Sequence, residues 1–456
     1  MNIKQINNIY CLGIGGIGVS ALARLFLAMG KNVQGSDIKE SVVTEELEKL
    51  GIKVSIGPNP TKVPEETELI IYTQDIPSDV LTKLPGAKIS QAEALGLVME
   101  DKYGIGVTGT NGKSTTTALL GLILDNAGMD PTVLIGSLLS PDSETEKFKA
   151  NARIGDSEYF VTESDEYHRK MLANKPKMIV LTNIALDHLD YYKDLADIKS
   201  AFTEYVESLP DDGMLIYNAD DHNATEVGKF AHSHKFTYGI HHYADLQAIN
   251  LKAENGKQTF DLHLNDQMIG NYTLPIPGTF NVLNALGAVL AGIKLGVPYT
   301  TIKITLAGFV GIWRRFEKVG ELMGKTVISD YAHHPDAISA TLSAAKQFYP
   351  GKKILTVFQP HHRNRTKALF GEFVESMITA DEIILPEIFD VAGREHGEDI
   401  SSKQLVDELN KKGAKATFMP TLDAAEKLIR EKAKDFDVIL LMGAGDIDLM
   451  ARKLVK

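Results

Sequence analysis

Residues Gly109 to Thr117 read GTNGKSTTT and follow the apolar run Ile105 to Val107. A lysine directly after a glycine, at the start of a helix, can reach the outer phosphates of a nucleotide. A serine beside it can ligate Mg2+. The standard phosphate loop would need a glycine at position 107, and that residue is Val107. Gly106 comes too early and Gly109 too late, so the spacing predicts a shorter loop. Threonines are poor helix formers, so propensity does not account for Thr115, Thr116 and Thr117. The phosphate-binding candidates are Gly109, Thr110, Asn111, Gly112, Lys113, Ser114 and Thr115.

A second glycine loop stands near the N-terminus: Gly13, Gly15, Gly16, Ile17 and Gly18, after a strand pattern and before a helix pattern. Asp37 follows at the end of the next strand. This order fits a pyrophosphate-binding turn, where glycines let the backbone approach the ligand and a helix N-terminus supplies N–H donors. NAD, FAD and a UDP-sugar all present such a group. A dehydrogenase would need only this loop and an ATPase switch only the other. Both together point to a two-substrate, ATP-driven enzyme.

Other polar residues gather after strand-like runs. Glu163, Asp165 and Glu166 follow one, and Asp187, His188 and Asp190 follow another. Mg2+ prefers carboxylate oxygens and substrate phosphates, so these groups could complete a site begun by Ser114. Further on come Arg314 and Arg315, then Asp330, Tyr331, His333 and His334, then His361, His362, Arg363 and Arg365. The histidines are not set out in zinc-like spacing. Arginine and histidine crowded at a strand end suit a carboxylate or a phosphate.

Parallel α/β sheets would position these groups, because ligands gather at the carboxyl ends of their strands. Strand and helix patterns alternate in three blocks, with boundaries near residues 102 and 312. The expected domains are 1–102, 103–312 and 313–456. Within the middle block, residues 246–278 alternate apolar and polar around Asn255-Gly256, which predicts an antiparallel hairpin region. Residues 279–296 predict a helix closed by Gly296. The net charge of −12 and the lack of a long Lys/Arg run argue against a nucleic-acid partner. Cys11 is the only cysteine, so no intrachain disulfide forms, which suits a reducing cytosol. The first residues do not read as a signal peptide, and no apolar segment approaches the ~20 residues that span a bilayer.

The ordered set GIGGIG, GSD, GTNGKSTTT, ESDE, TNIALDHLDYY, NVLNALGA, RRFE, DYAHHP, FQPHHRNRT and GAGDI resembles the Mur ligase family over nearly the whole chain. The resemblance implies a Rossmann-like N-terminal domain for the UDP-sugar, a central P-loop ATPase-like domain and a Rossmann-like C-terminal domain for an amino acid. It implies a cytoplasmic enzyme that makes the peptide stem of peptidoglycan. ATP would phosphorylate the lactyl carboxylate of UDP-N-acetylmuramate, and the amine of L-alanine would attack the acyl phosphate. Lys113, Glu163, His188 and His333 are then the catalytic candidates. Ser114, Glu163 and His188 would hold two Mg2+ ions. Asn281, Arg315 and Asp330 would meet the nucleotide. Gly15 to Gly18 and Asp37 would hold the UDP-sugar. Tyr331, His333, His361, Arg363 and Arg365 would surround the amino acid.

The chain departs from the family pattern in places. Phe202 stands where several sibling ligases carry a carbamylated lysine, and Lys199 is out of register. His362 follows the FQPH element where L-alanine-adding members have arginine. Phe280 replaces a histidine before Asn281. The ESDEY run also resembles ligases that recycle a murein tripeptide onto the same sugar. A non-catalytic nucleotide-dependent sensor of UDP-sugars and an NAD-dependent oxidoreductase are the remaining readings.

Overall fold

The computed structural model describes residues 1–58, 63–74, 76–140, 143–145, 148–188, 191–254, 257–389 and 400–456. Asp190 and the Asn255-Gly256 turn lie outside the described residues. The chain divides into two compact units. One comprises Met1–Leu251, Phe260–Thr273 and Asn281–Phe309; the other comprises Lys252–Thr259, Leu274–Phe280 and Val310–Lys456.

Three sheets organise the described residues. The first is five-stranded and parallel, in the order Lys53–Ile56, Asn32–Asp37, Asn8–Leu12, Leu69–Tyr72, Ala87–Ser90. Its chain path reverses beside Asn8–Leu12, and Gly13 leaves the carboxyl end of that strand. In open parallel sheets this reversal creates the crevice where ligands bind. Strand Asn8–Leu12 is buried on both faces beyond its first residue, as a parallel sheet covered by helices requires.

The middle sheet has eleven strands. Its parallel core runs His234–Gly239, Met214–Asn218, Met178–Leu181, Tyr103–Thr108, Tyr159–Glu163, Thr132–Leu134. Tyr103–Thr108 lies between the strands that end in Glu163 and Leu181. The GTNGK loop therefore emerges flanked by the two carboxyl ends that sequence singled out. The next helix, Lys113–Asn126, is buried from Ser114 through Leu124. It ends at Gly128 (φ 72°), where the amide of Met129 donates to Leu124 O at 3.0 Å and closes the last turn. Helix Thr279–Lys294 stops as expected at Gly296 (φ 85°), with the amide of Val297 donating to Gly292 O at 2.9 Å.

Strands Leu246–Glu254, Lys257–Leu264 and Gln267–Leu274 lie side by side in chain order. The second turn of this region, Asn265-Asp266, has both φ values positive (46° and 65°), which polar turn residues tolerate. Phe202 is fully buried in an apolar cluster with Ile198, Tyr205 and Leu215, so the position is part of the core.

The third sheet runs Glu317–Leu322, Lys325–Asp330, Val438–Met442, Ile354–Phe358, Glu382–Pro386, Ala416–Met419; only its first pair is antiparallel. The sequence pattern does not announce the edge strand Glu317–Leu322, because Val319 and Leu322 are its only apolar side chains. Asp330, Met442 and Phe358 share a register level. The segments after them thus leave the sheet side by side. No helix among the described residues is long and apolar enough to cross a membrane.

Candidate active site

The GTNGK loop is held by its own backbone and by the TNIALDH segment. The amide of Thr110 donates to Asn183 O at 2.9 Å, and that of Asn111 to Asn183 Oδ1 at 3.0 Å. Asn111 O accepts from Thr182 Oγ1 at 2.6 Å and Asn183 Nδ2 at 2.9 Å. Gly112 is left-handed (φ 86°, ψ −7°) and begins the helix without a side-chain cap. The first-turn N–H groups at Lys113, Ser114 and Thr115 thus remain available to an anion, as at other phosphate-binding helix starts. A Cβ at Gly112 would fall 2.1 Å from Asn284 Oδ1, and one at Gly109 2.1 Å from Thr182 Oγ1. Both glycines are required by close approach as well as by conformation.

Lys113 folds back over this loop. Its ammonium donates to Gly109 O at 2.6 Å, to Thr110 O at 3.2 Å and to both oxygens of Glu166 at 3.0 and 2.8 Å. Burial opposes its charge, but Glu166, Asp165 and Glu163 outweigh that cost and raise its pKa. Lys113 is a cation, and it has three carboxylates within electrostatic reach. Burial also pushes Asp165 up, yet Lys170 and Lys113 together hold its pKa below the ordinary value.

The carboxylates divide between two places. Glu163 Oε1 accepts from the amide of Gly136, and a Cβ on Gly136 would sit 2.6 Å from Glu163 Oε2. Glu166 instead faces His188, whose Nε2 lies 3.8 Å from Glu166 Oε1. Asp165, Glu166 and His188 each present a ligand atom within 4.8 Å of the other two. Tyr192 fixes this corner by donating to Glu166 O at 2.5 Å, and Tyr167 stacks on the His188 ring at 4.4 Å. His168, Arg169 and His188 all have φ above 50°. Left-handed backbone at three non-glycine residues costs energy and clusters at functional sites.

This donor set fits Mg2+. Serine and carboxylate oxygens are the hard ligands it prefers. Burial pushes the Glu166 carboxyl up to about 7 against the pull of Lys113, but the Glu163 and Asp165 carboxylates beside the same loop would repel a polyphosphate unless a divalent cation intervened. The Ser114 hydroxyl makes no hydrogen bond among the described residues.

Asn281 is buried at the start of its helix, where its Oδ1 accepts from Asn284 Nδ2 at 3.2 Å. Asn284 O in turn accepts from Thr116 Oγ1. Asn281 thus reaches the phosphate loop through Asn284. Sequence reasoning passed over Asn284, Asn183 and Tyr192. The available signal for Asn284 was a second polar residue one turn after Asn281 in an otherwise apolar helix.

The N-terminal glycine loop is a tight turn on the neighbouring strand. The amides of Gly13 and Ile14 donate to Ser36 O, and that of Gly16 to Gly13 O. Gly13 has φ 73°, and a Cβ there would meet Thr73 Cγ2 at 2.6 Å. Asp37 supports the loop: Oδ2 accepts from the Gly15 amide at 2.8 Å and Oδ1 from Ile38 N at 2.7 Å. Gly16 starts helix Ile17–Ala28 without a side-chain cap, and Gly16 and Gly18 are exposed.

In the second unit, Asp330 is buried and accepts from the amides of Phe316 (2.7 Å) and Ala332 (2.8 Å) and from Thr341 Oγ1 (3.3 Å). Burial raises its pKa against the pull of Arg315 and these donors. The Tyr331 ring lies under the guanidinium groups of Arg314 and Arg315, at 4.9 and 5.1 Å. His333 Nδ1 lies 2.8 Å from Tyr331 O. A carbonyl only accepts, so this contact assigns the proton to Nδ1 and leaves Nε2 as the acceptor of the neutral ring. His333 packs edge-on to His361 at 6.5 Å, and His361 stacks on Phe389 at 5.3 Å. Arg363 and Arg365 lie on the short helix that follows, where Arg363 Nη1 donates to Ile400 O. His362 caps that helix with φ 70°, its ring edge-on to His361 at 4.1 Å. Tyr331, His333 and His361 therefore come together.

Comparison with known proteins identifies this set of loops. Residues 8–103 match the Mur ligase family catalytic domain, 107–292 the Mur ligase middle domain, and 314–445 the Mur ligase glutamate ligase domain. The chain belongs to the Mur ligase family. The UDP-N-acetylmuramate–L-alanine ligase of Caldanaerobacter subterraneus subsp. tengcongensis is 38% identical over all of this chain and 99% of its own. That of Clostridium botulinum (strain Loch Maree) is 40% identical over 98% and 97%. The crystal structure of the UDP-N-acetylmuramate-alanine ligase of Thermotoga maritima superposes with a TM-score of 0.83, at 29% identity over 98% of each chain. A murein peptide ligase from Psychrobacter arcticus superposes with a TM-score of 0.72, at 26% identity over 98% of each chain. The fold is the three-domain Mur ligase fold, built on parallel α/β sheets.

Proposed function

We propose that this Mur ligase joins L-alanine to the lactyl carboxylate of UDP-N-acetylmuramate at the expense of ATP, in the cytoplasm, as a step in peptidoglycan precursor synthesis. The observation that carries this reading is 38–40% identity, over essentially the full length, to ligases named for that substrate and that amino acid. The work divides among 1–102 for the UDP-sugar, 103–312 for ATP and 313–456 for the amino acid.

A carboxylate is a poor electrophile, and phosphorylation gives it a leaving group. Lys113 holds the outer phosphates and neutralises charge as the phosphoryl group transfers. Ser114 and Glu163 would hold one Mg2+ and His188 with its neighbouring carboxylates a second, and these ions would supply further charge neutralisation at the phosphates. Gly13 to Gly18 hold the pyrophosphate of the sugar nucleotide on the N-terminus of helix Ile17–Ala28. Asn281, Arg315 and Asp330 serve the ATP, and Tyr331, His361, Arg363 and Arg365 the amino acid. His333, with its proton on Nδ1, presents Nε2 as the base for the attacking amine.

The test is ADP release with UDP-N-acetylmuramate, Mg·ATP and a panel of amino acids. L-Alanine is expected to be the best acceptor. A preference for glycine or L-serine would point to the His362 departure, and no acceptor-dependent ADP with any of them would reject the assignment. The likeness to the Psychrobacter murein peptide ligase supports a second reading, tested by offering the L-alanyl tripeptide against free L-alanine.

A further inference from the structure

Asn151 is fully buried between the helix that follows the N-terminal glycine loop and the segment that leads through Ile135 and Gly136 to Glu163. On one side its Nδ2 donates to Ile17 O and to Ser20 Oγ, each at 2.9 Å. Both acceptors lie in the first turn of helix Ile17–Ala28, directly after the N-terminal glycine loop. Ser20 sends its own proton to Ile17 O at 2.9 Å, so hydroxyl and amide close on one carbonyl. On the other side, Asn151 O accepts from the amide of Ile135 at 3.0 Å. The next amide, Gly136 N, donates to Glu163.

Two observations separate this arrangement from ordinary packing. Asn151 Oδ1 is buried without a hydrogen-bond partner among the described residues. An apolar side chain at this position would carry no such acceptor, so the amide comes at a cost. At the far end, Gly136 seats its backbone directly on the carboxylate, and a Cβ there would lie 2.6–2.9 Å from the Glu163 carboxyl atoms. Leu134 and Ile135 are buried as well. The segment has no slack in which to absorb a shift.

We propose that Asn151 is a positioning residue that couples the two nucleotide loops. A sugar nucleotide drawing on the first turn of helix Ile17–Ala28 moves Asn151, and with it Ile135, Gly136 and the Glu163 carboxylate. Binding at either loop therefore strengthens binding at the other, by the same factor in each direction. The inference rests on the ligand assignments proposed above.

Titration calorimetry with UDP-N-acetylmuramate, in the absence and presence of saturating Mg·ADP, tests it. Mg·ADP has no γ-phosphate, so nothing turns over and no phosphoryl group meets the sugar carboxylate. For the wild type the Kd of the sugar nucleotide is expected to fall about fivefold or more when Mg·ADP is bound, with the reciprocal change for Mg·ADP. Asn151→Leu is expected to bind each ligand alone within about twofold of wild type and to show a coupling factor near one. Ser20→Ala removes one of the two acceptors with little change in volume, and it is expected to show an intermediate factor. It keeps the test open if the leucine variant does not fold. Wild-type coupling in either variant overturns the proposal, as does a wild type that turns over normally and binds both ligands independently. A wild type that does not bind UDP-N-acetylmuramate at all overturns the functional reading, and this inference with it.

Discussion

Replacing Gly112 with alanine should disable the ATP loop for two separable reasons. The first is conformational: φ is 86°, and an L-residue in the left-handed region costs about 1–2 kcal/mol. The second is a collision: the new Cβ would lie 2.1 Å from Asn284 Oδ1. Relief requires Asn284 to rotate, which breaks its hydrogen bond to Asn281. That loss costs about 1 kcal/mol, and an off-rotamer side chain about 1 more. The total, about 3–4 kcal/mol, corresponds to a loss of about 150- to 900-fold in Mg·ATP affinity. In an Asn284→Ala background the collision is gone. There the same glycine substitution should cost only the conformational part, about 5- to 30-fold. Calorimetric Kd values for Mg·ATP in the four proteins form a double-mutant cycle with an expected coupling of about 2 kcal/mol. Equal losses in the two backgrounds, or a Gly112→Ala protein that binds Mg·ATP like wild type, would refute the reasoning.

Lys113→Ala should lower kcat by about 100- to 1,000-fold or more, since it removes the cation at the transferring phosphoryl group, while the Kd for UDP-N-acetylmuramate stays within about twofold. Loss of both would show that the two loops are not separable. Gly136→Ala should displace Glu163 and raise the Mg2+ concentration needed for half-maximal activity by about tenfold or more, read from a Mg2+ titration at saturating substrates. Asp220 accepts from the amides of Ile240, His241 and His242. Burial opposes its charge, but these donors hold its pKa below the ordinary 3.8. A depressed carboxylate stabilises the fold above its unfolded pKa and loses that contribution as pH falls through its folded pKa. Asp220→Asn should therefore melt earlier than wild type at pH 7, with the gap closing as pH falls below 3.8. A gap that is constant with pH would remove the charge from the explanation.

How much the sequence disclosed depended on how local each interaction is. The short glycine loop at the helix start was legible because the left-handed Gly112 and the residues after it act through local backbone geometry. Asp37 was found at its place beside the first glycine loop because strand ends in parallel sheets converge. Which acidic residue faces which partner was not legible. Glu163 and Glu166 are three positions apart, yet one lies on Gly136 and the other on Lys113 and His188, because the chain turns sharply between them. Asn284 meets Thr116, and Asn151 meets Ile17 and Ser20, each more than a hundred positions away. In the sequence Asn151 is a single polar residue without a pattern, and Asn284 shows only its one-turn spacing from Asn281. The edge strand Glu317–Leu322 escaped for another reason: with Val319 and Leu322 its only apolar side chains, it is too polar to show an apolar period.

The central claim is that ATP activates the sugar carboxylate itself. It is tested most directly by supplying UDP-N-acetylmuramate labelled with 18O in both lactyl carboxylate oxygens, together with Mg·ATP and L-alanine. If a carboxylate oxygen attacks the γ-phosphorus and the amine then displaces phosphate, each turnover must place one 18O in inorganic phosphate and leave one in the new amide. Mass spectrometry of both products should show that one-to-one division, with ADP released in equal amount. Unlabelled phosphate, or both labels retained in the sugar nucleotide, would contradict the account.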